Sequence, residues 1–385
     1  TEYLFQSNPE DIEDLPEKPQ AGMAVINVQT GAIAGMQGGY GQKTANLVYN
    51  RSTEAYRQPG SSIKPIISYA PALEIGYIAP GTIYDDKESY LDPDNPNMLW
   101  PRNADGKYSG KMTIRRAITS SRNTIAVQVW TDIGADTALW FLKQVGIDRS
   151  DEAYPATAVG AFSKGITPLE MASAYATFPR SGIYCEPYSY TKVLDSIGNV
   201  VLEKHPMEQS VYTNITAYLM SDMMMGVITG GTASGHVHTI QNVNGESISV
   251  AGKTGTTDDY KDRWFCGFTP YYSASVWYGY DNHLRSTVIP KGEDRNSAMK
   301  IWDFVMQRIH ENLPGAGFER PEGIVSKTVC LDSGLLANDY CKAAGTAVTD
   351  FFVDGSYLVP KQECPYHLAP TPTPEPPPEE TAPTP

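Results

Sequence analysis

The sequence predicts an α+β fold in which helices precede an antiparallel sheet. Three observations predict it. Stretches of helical length and mostly apolar periodicity recur between residues 113 and 228. From about residue 247 the pattern changes to short strand-like runs separated by turn residues. A hairpin signature near residue 24 precedes both.

Taken in order, residues 1–19 are acidic, carry Pro9, Pro16 and Pro19, and read as a linker remnant. Residues 24–28, a turn at Thr30 and Gly31, and residues 32–36 read as a β-hairpin running to Gly38 and Gly39. The apolar stretch from Ser61 to about Gly76 reads as a buried helix. Pro59 and Gly60 stop what precedes it, Pro65 falls in the first turn where a missing N–H costs least, and Pro71 predicts a kink. Residues 113–130, 136–146, 167–179 and 214–228 read as helices, residues 249–253, 262–269, 272–281 and 285–289 as strands, and residues 296–312 as a closing helix. The main domain is set at 20–320. Residues 321–368, rich in Cys, Gly, Asp and Tyr, read as a small C-terminal extension. In 369–385 Pro alternates with Thr and Glu, a composition that builds no core and predicts a disordered tail.

Composition bounds the function. Apolar residues make up 41% of 385, enough for a sizeable core, and only 19% are charged, which argues against a coiled coil or a disordered chain. The net charge is -14 and no long Lys/Arg cluster offsets it, so nucleic acid is not expected as a partner. No window of 18 apolar residues or leader segment occurs, so the chain as given is expected to be soluble. Because it opens on Thr1, a membrane link is expected only through an anchor upstream.

Of five cysteines, Cys330, Cys341 and Cys364 cluster near the C-terminus. A Cys330–Cys341 bond would close a short loop and fit an oxidising compartment; three free thiols is the other reading. No Cys-x-x-Cys occurs, and His236 and His238 lack a third ligand, so no metal and no cofactor is expected.

Three short motifs carry chemistry. In Gln58-Pro59-Gly60-Ser61-Ser62-Ile63-Lys64-Pro65, Lys64 lies one turn beyond Ser61 on the same helix face. A hydroxyl needs a neighbouring base to act as a nucleophile, and an amine serves when burial disfavours its charged form. Alone, Ser-x-x-Lys is common by chance, and a capping Ser followed by a surface Lys is the bland reading. Ser121-Arg122-Asn123 places a hydroxyl and an amide two residues apart at a helix start, fitted to relay a proton and to hold a substrate amide and Lys64; helix capping is the alternative. Lys253-Thr254-Gly255-Thr256-Thr257 ends a strand. Lys253 and Gly255 share one face, Gly255 leaves room for a substrate backbone, and Thr254 and Thr256 offer hydroxyls to a carboxylate. Order, local context and spacing make the three together a strong signal, since they match the signature of penicillin-binding proteins and class A β-lactamases.

The sequence resembles the transpeptidase domain of a class A (bifunctional) penicillin-binding protein of the Gram-positive kind. The likeness extends beyond the motifs to Gly22-Met23-Ala24-Val25-Ile26-Asn27, to Tyr49-Asn50-Arg51-Ser52 and to Asp262-Arg263-Trp264-Phe265-Cys266-Gly267-Phe268-Thr269-Pro270, and it covers about residues 20–310. It implies a five-stranded antiparallel sheet with helices on both sides and an all-helical subdomain. It further implies Ser61 as nucleophile, Lys64 as base, Ser121 and Asn123 as the second wall of the cleft, Lys253 and Thr254 at the substrate's terminal carboxylate, and the backbone N–H groups of Ser61 and Thr256 as oxyanion hole. Trp100, before Pro101-Arg102-Asn103, would form an aromatic wall; a loop Trp that merely packs is the other reading. The implied partners are D-alanyl-D-alanine stem peptides, an amine acceptor, β-lactams and the cell-wall synthesis machinery, at the outer face of the cytoplasmic membrane. Two departures stand out. The glycosyltransferase half is missing, and Arg122 puts a cation in the second motif. The rivals are a D,D-carboxypeptidase or β-lactamase-type hydrolase and a non-catalytic β-lactam sensor. No Glu stands four residues before an Asn, which counts against the class A β-lactamase deacylation route.

Overall fold

The structure is a computed structural model that describes residues 18–368, apart from 42, 44, 258–259, 282–288 and 290–292. Nearly all of the expected linker, the expected tail and most of the expected strand at 285–289 lie outside the described residues. Strands β1 (Gln20–Asn27) and β2 (Ile33–Gln37) form the expected hairpin. The Asn27 side chain accepts the Thr30 N–H at 3.0 Å, and Gly31 supplies the left-handed residue of the turn at φ 78°. Strands β3 (Ala251–Thr256), β4 (Asp262–Phe268) and β5 (Tyr272–Gly279) are joined by short connections. The hairpin inserts beside β5 to give a five-stranded sheet in the order β3-β4-β5-β1-β2, with every neighbour antiparallel.

All of β4 and almost all of β5 are buried, because helices cover both faces. The helices are α1 (Ile114–Thr119), α2 (Asn123–Ile133), α3 (Ala135–Gln144), α4 (Pro168–Ala176), α5 (Asn214–Thr229) and α6 (Ser297–Ile309). Successive strand residues point to opposite faces. Ser273 therefore meets α4, donating to the Ala172 carbonyl at 2.7 Å, while Ala274 meets α6, its carbonyl accepting from the Trp302 indole at 3.0 Å. Helix α4 starts with a capping box between Thr167 and Glu170. None of the described helices is long and apolar enough to cross a membrane.

The helical subdomain is α1 to α3 together with a hairpin of Ile83–Asp86 against Gly110–Thr113. Two expected helices differ in detail. The stretch 113–130 is broken at Ser120-Ser121-Arg122. The Arg122 N–H returns to the Ala117 carbonyl at 2.9 Å and the Ser121 N–H to the Ile118 carbonyl at 3.1 Å, a Schellman closure with Ser121 left-handed at φ 59°. The Asn103 side chain then accepts the Asn123 N–H at 2.8 Å and starts α2. A cap supplied from 20 residues away is invisible to periodicity. The helix beginning at Ser61 is composite: a 3₁₀ turn at Gly60–Ile63, a wide π turn at Pro65–Tyr69 and an α turn at Ala70–Glu74. The turn just before Pro71 is widened, a deviation common at functional sites.

The C-terminal extension is a second hairpin, β6 (Ile324–Cys330) and β7 (Ala347–Val353), with a short helix α7 (Asp339–Ala343) between them. It docks on the helical subdomain. Phe352 lies so close to Gly81 that a Cβ there would sit 2.5 Å from its ring, and Arg115 on α1 pairs with the buried Asp350 at 2.8 Å.

Candidate active site

The site assembles where the Ser61 helix, the α1–α2 turn and strand β3 meet. Backbone-to-backbone contact sets the first junction. Gly60 is left-handed at φ 53°, and a Cβ on it would lie 2.4 Å from the Thr256 carbonyl oxygen. A Cβ on Gly255 would lie 2.3 Å from the Pro59 carbonyl oxygen and 2.9 Å from Ser62 Oγ. Gly255 thus lets the strand pack onto the helix start, and Thr256 is brought against the turn that presents Ser61. The Trp264 indole donates to the Gln58 carbonyl at 2.9 Å and Tyr175 to the Ser62 carbonyl at 2.5 Å, fixing this segment from both sides. Residues three apart eclipse in a 3₁₀ turn, so Lys64 lies in line with Ser61. Ser61 is half-buried, while Lys64 is fully buried.

The Lys64 ammonium donates to Asn123 Oδ1 at 2.5 Å, to the Ser121 carbonyl at 2.8 Å and, at 3.4 Å, to Ser121 Oγ. Lys253, equally buried, donates to the same Ser121 Oγ at 2.8 Å and to the Thr254 carbonyl at 3.1 Å. The Ser121 hydroxyl therefore bridges two amines from different elements. Desolvation disfavours the charged form of Lys253 and pulls its pKa down to about 7. Ser121 holds its position in a left-handed conformation that costs a non-glycine residue about 1–2 kcal/mol. Such outliers persist where the surroundings over-determine them, and functional sites are where they cluster.

Asn123 is held by three partners: its Oδ1 faces Lys64, its Nδ2 donates to the Arg102 carbonyl at 2.7 Å, and its backbone N–H goes to Asn103. Among the described residues, the Arg102 carbonyl is the acceptor for its Nδ2. Arg122 pairs with Asp105 at 3.1 Å and Asp86 at 3.5 Å, so its charge is matched. Trp100 lies two residues before the Arg102 carbonyl, partly buried against the apolar core. On β3, Lys253 and Gly255 are buried, while Thr254 and Thr256 are partly exposed. Thr254 Oγ1 is 2.7 Å from Thr232 Oγ1, and Thr256 Oγ1 accepts from Arg263 at 2.8 Å. Burial lowers the Arg263 pKa to about 10.

Thr232 and Asp86 have no sequence signal as site residues, and Arg263 and Asn103 appear in the sequence only within longer family-like stretches, with no role of their own. Arg263 was signalled only by register, since β4 sets it opposite Thr256. Thr232 stands in a Gly-rich stretch with no pattern of its own. Buried Asp86 accepts from Asn103 at 2.7 Å, from Thr124 at 2.6 Å and from the Ser109 N–H at 2.9 Å, and so braces the second motif from below. The result is a half-exposed Ser61 one 3₁₀ turn before a buried amine, a second hydroxyl shared by two amines, and a hydroxyl-lined strand end flanked by Lys253 and Arg263.

Comparison with known proteins gives the family. Residues 21–306 match the family described as penicillin binding protein transpeptidase domain, and residues 320–369 match the penicillin-binding protein 1A C-terminal domain. The chain is 31% identical over 367 residues to penicillin-binding protein 1A of Clostridium tetani, spanning 91% of this chain and 45% of that protein. It is 35% identical over 363 residues to the protein of the same name from Clostridium novyi, spanning 91% of this chain and 40% of the relative. The chain thus spans less than half the length of these curated relatives. The crystal structure of penicillin-binding protein 1A from Haemophilus influenzae superposes with a TM-score of 0.75 at 27% identity, covering 90% of this chain and 54% of that one.

Proposed function

Because the chain belongs to the penicillin-binding protein transpeptidase family, we propose that it cross-links peptidoglycan through an acyl-enzyme on Ser61, as the D,D-transpeptidase part of a longer, membrane-anchored protein working at the outer face of the cytoplasmic membrane with other cell-wall synthesis proteins. The observation that carries this reading is the Ser121 hydroxyl held between Lys64 and Lys253. A neutral Lys64 has two N–H groups and one lone pair. Asn123 Oδ1 and the Ser121 carbonyl accept from Lys64, and the amine in its neutral form would take the Ser61 hydroxyl proton.

The Ser61 oxygen attacks the carbonyl carbon of the penultimate D-alanine of a stem peptide, and its proton passes to Lys64. The oxyanion forms against the backbone N–H groups of Ser61 and Thr256, whose segments touch at Gly60. As the C–N bond breaks, Ser121 relays a proton to the departing amine and D-alanine leaves. An acceptor amine then attacks the ester carbonyl and frees Ser61. Lys253, Thr254 and Thr256 bind the terminal carboxylate of the donor, with Thr232 and Arg263 holding the two threonine hydroxyls in place. Gly255 lets β3 approach, Asn123 offers an N–H to the peptide, and Trp100 flanks the opposite rim. A β-lactam enters the first half of the cycle, but its opened ring stays tethered and Ser61 remains acylated.

Intact-mass measurement after exposure to penicillin tests the reading. The expected result is a lasting adduct that is absent in Ser61→Ala, followed by amide formation when a D-alanyl-D-alanine donor and an amine are supplied. No adduct would overturn the proposal, and an adduct lost within seconds would point to a hydrolase. A second expectation follows from the left-handed Ser121. Ser121→Gly should be about 1 kcal/mol more stable through relief of strain, yet acylate at least tenfold more slowly because the relay hydroxyl is gone. Thermal melts and adduct kinetics on the one variant check both.

A further inference from the structure

Three of the five cysteines converge with a histidine in the C-terminal extension. Cys330 ends β6, Cys341 lies in α7, and Cys364 and His367 occupy the loop beyond β7. The three sulfurs and one ring nitrogen of His367 all lie within 4.8 Å of one another. His367 Nδ1 is 3.5 Å from both Cys330 Sγ and Cys364 Sγ. With zinc–sulfur bonds of about 2.3 Å and zinc–nitrogen bonds of about 2.0–2.1 Å, adjacent ligand atoms of a tetrahedron stand about 3.5–3.8 Å apart, so the observed spacing suits a shared metal. All five cysteines are free thiols here, so the Cys330–Cys341 pairing weighed from sequence is not formed. A bond between any two of the three would leave the third sulfur and the histidine beside it without a role.

The surroundings are those of a ligand set. The three thiols are at most 2% exposed. His367 turns its other nitrogen, Nε2, to Asp332 Oδ2 at 3.3 Å, the carboxylate–histidine arrangement that fixes which ring nitrogen faces a metal. The Tyr366 N–H donates to Cys364 Sγ at 3.4 Å, and Asn338 Nδ2 holds the His367 carbonyl at 3.0 Å, shaping the loop around the cluster. The extension also needs a staple. Its own apolar clusters are small, one built on Val329 and Phe352 and the other on the three cysteines themselves. The sequence reading dismissed zinc for want of Cys-x-x-Cys; Cys364-Pro365-Tyr366-His367 is the equivalent Cys-x-x-His chelating turn.

We propose that Cys330, Cys341, Cys364 and His367 bind one zinc ion in a closed structural site. Four protein ligands leave no position for substrate or water, so the ion acts on folding and not on chemistry. Binding releases the thiol protons to solvent, so the affinity weakens as pH is lowered. The metal locks the β6–β7 hairpin to its terminal loop. Through Asp350 on Arg115, and through the Asp332 carbonyl on Lys111, that hairpin is fastened to α1 and to the strand leading into it.

The test is metal content and cobalt spectroscopy on the whole chain, purified reduced and without chelator. One zinc per chain is expected, together with a thiolate-to-cobalt charge-transfer band when cobalt replaces it. Cys364→Ser and His367→Ala should abolish stoichiometric binding, and His367→Cys should restore it as a four-thiolate site. Asp332→Asn should weaken zinc affinity about 10–100-fold. A reduced chain that takes up no zinc would overturn the proposal. So would chain recovered from the extracellular side with a disulfide among Cys330, Cys341 and Cys364 and no metal. Retention of zinc by both Cys364→Ser and His367→Ala would overturn it as well.

Discussion

Lys64→Met is expected to slow acylation of Ser61 by penicillin by about three orders of magnitude, within the 10²–10⁴-fold range of a positioned base. The side chain is wholly buried, and Met matches its length without a charge, so the pocket stays filled. What disappears is the amine proposed as the destination of the Ser61 proton. Asn123 Oδ1 and the Ser121 carbonyl lose a donor, at about 1–3 kcal/mol for each buried acceptor left unmet, but removal of a buried amine offsets part of that. Lys64→Arg should be no better, since a guanidinium stays protonated and cannot serve as a base. Stopped-flow or timed mass measurement of adduct formation decides the matter. A rate within tenfold of the parent in Lys64→Met would mean that another group accepts the Ser61 proton.

Lys253→Met separates stability from activity. In the folded chain the Lys253 pKa is about 7, against an ordinary 10.5, because burial penalises the ammonium. Between those values the unfolded chain carries the proton and the folded chain does not. Unfolding therefore takes up a proton, and stability rises with pH from about 7 towards 10.5. Below about 7 both states carry the proton and the full penalty stands. Met carries no such penalty. The variant should melt several degrees higher at pH 6, with the gap closing as pH rises, while acylation falls about 10²–10³-fold through loss of the preorganised donor that holds the Ser121 hydroxyl. Melting curves from pH 6 to 10 for both proteins give the comparison. Parallel pH profiles would show that Lys253 does not titrate as its burial requires.

The candidate site residues could be named from sequence because each motif sits where a turn meets a regular element, and because order along the chain matched a known family. The hairpin, the strands at 251–279 and the helices at 168–176 and 214–229 follow from local patterning. Three things did not. The break at Ser121 depends on a cap from Asn103, a long-range contact. Gly255 read as room for substrate, whereas the structure shows it pressed against Pro59 and Ser62, a consequence of tertiary packing. The convergence of Cys330, Cys341, Cys364 and His367 needs the pairing of β6 with β7, which no single segment encodes.

Strand β3 is the last strand on its side of the sheet. Among the described residues no strand pairs with its outer row of N–H and C=O groups, and open edges of this kind invite pairing with foreign chains. Here the row runs beside Ser61. A peptide adding itself as a sixth strand would be drawn in by main-chain hydrogen bonds and read only at alternate side chains. Under the proposed function, selectivity would then rest on the terminal carboxylate and the residue at the scissile bond. The remainder of the ligand would be free to vary, which would let one edge accept both an extended peptide and a compact bicyclic amide.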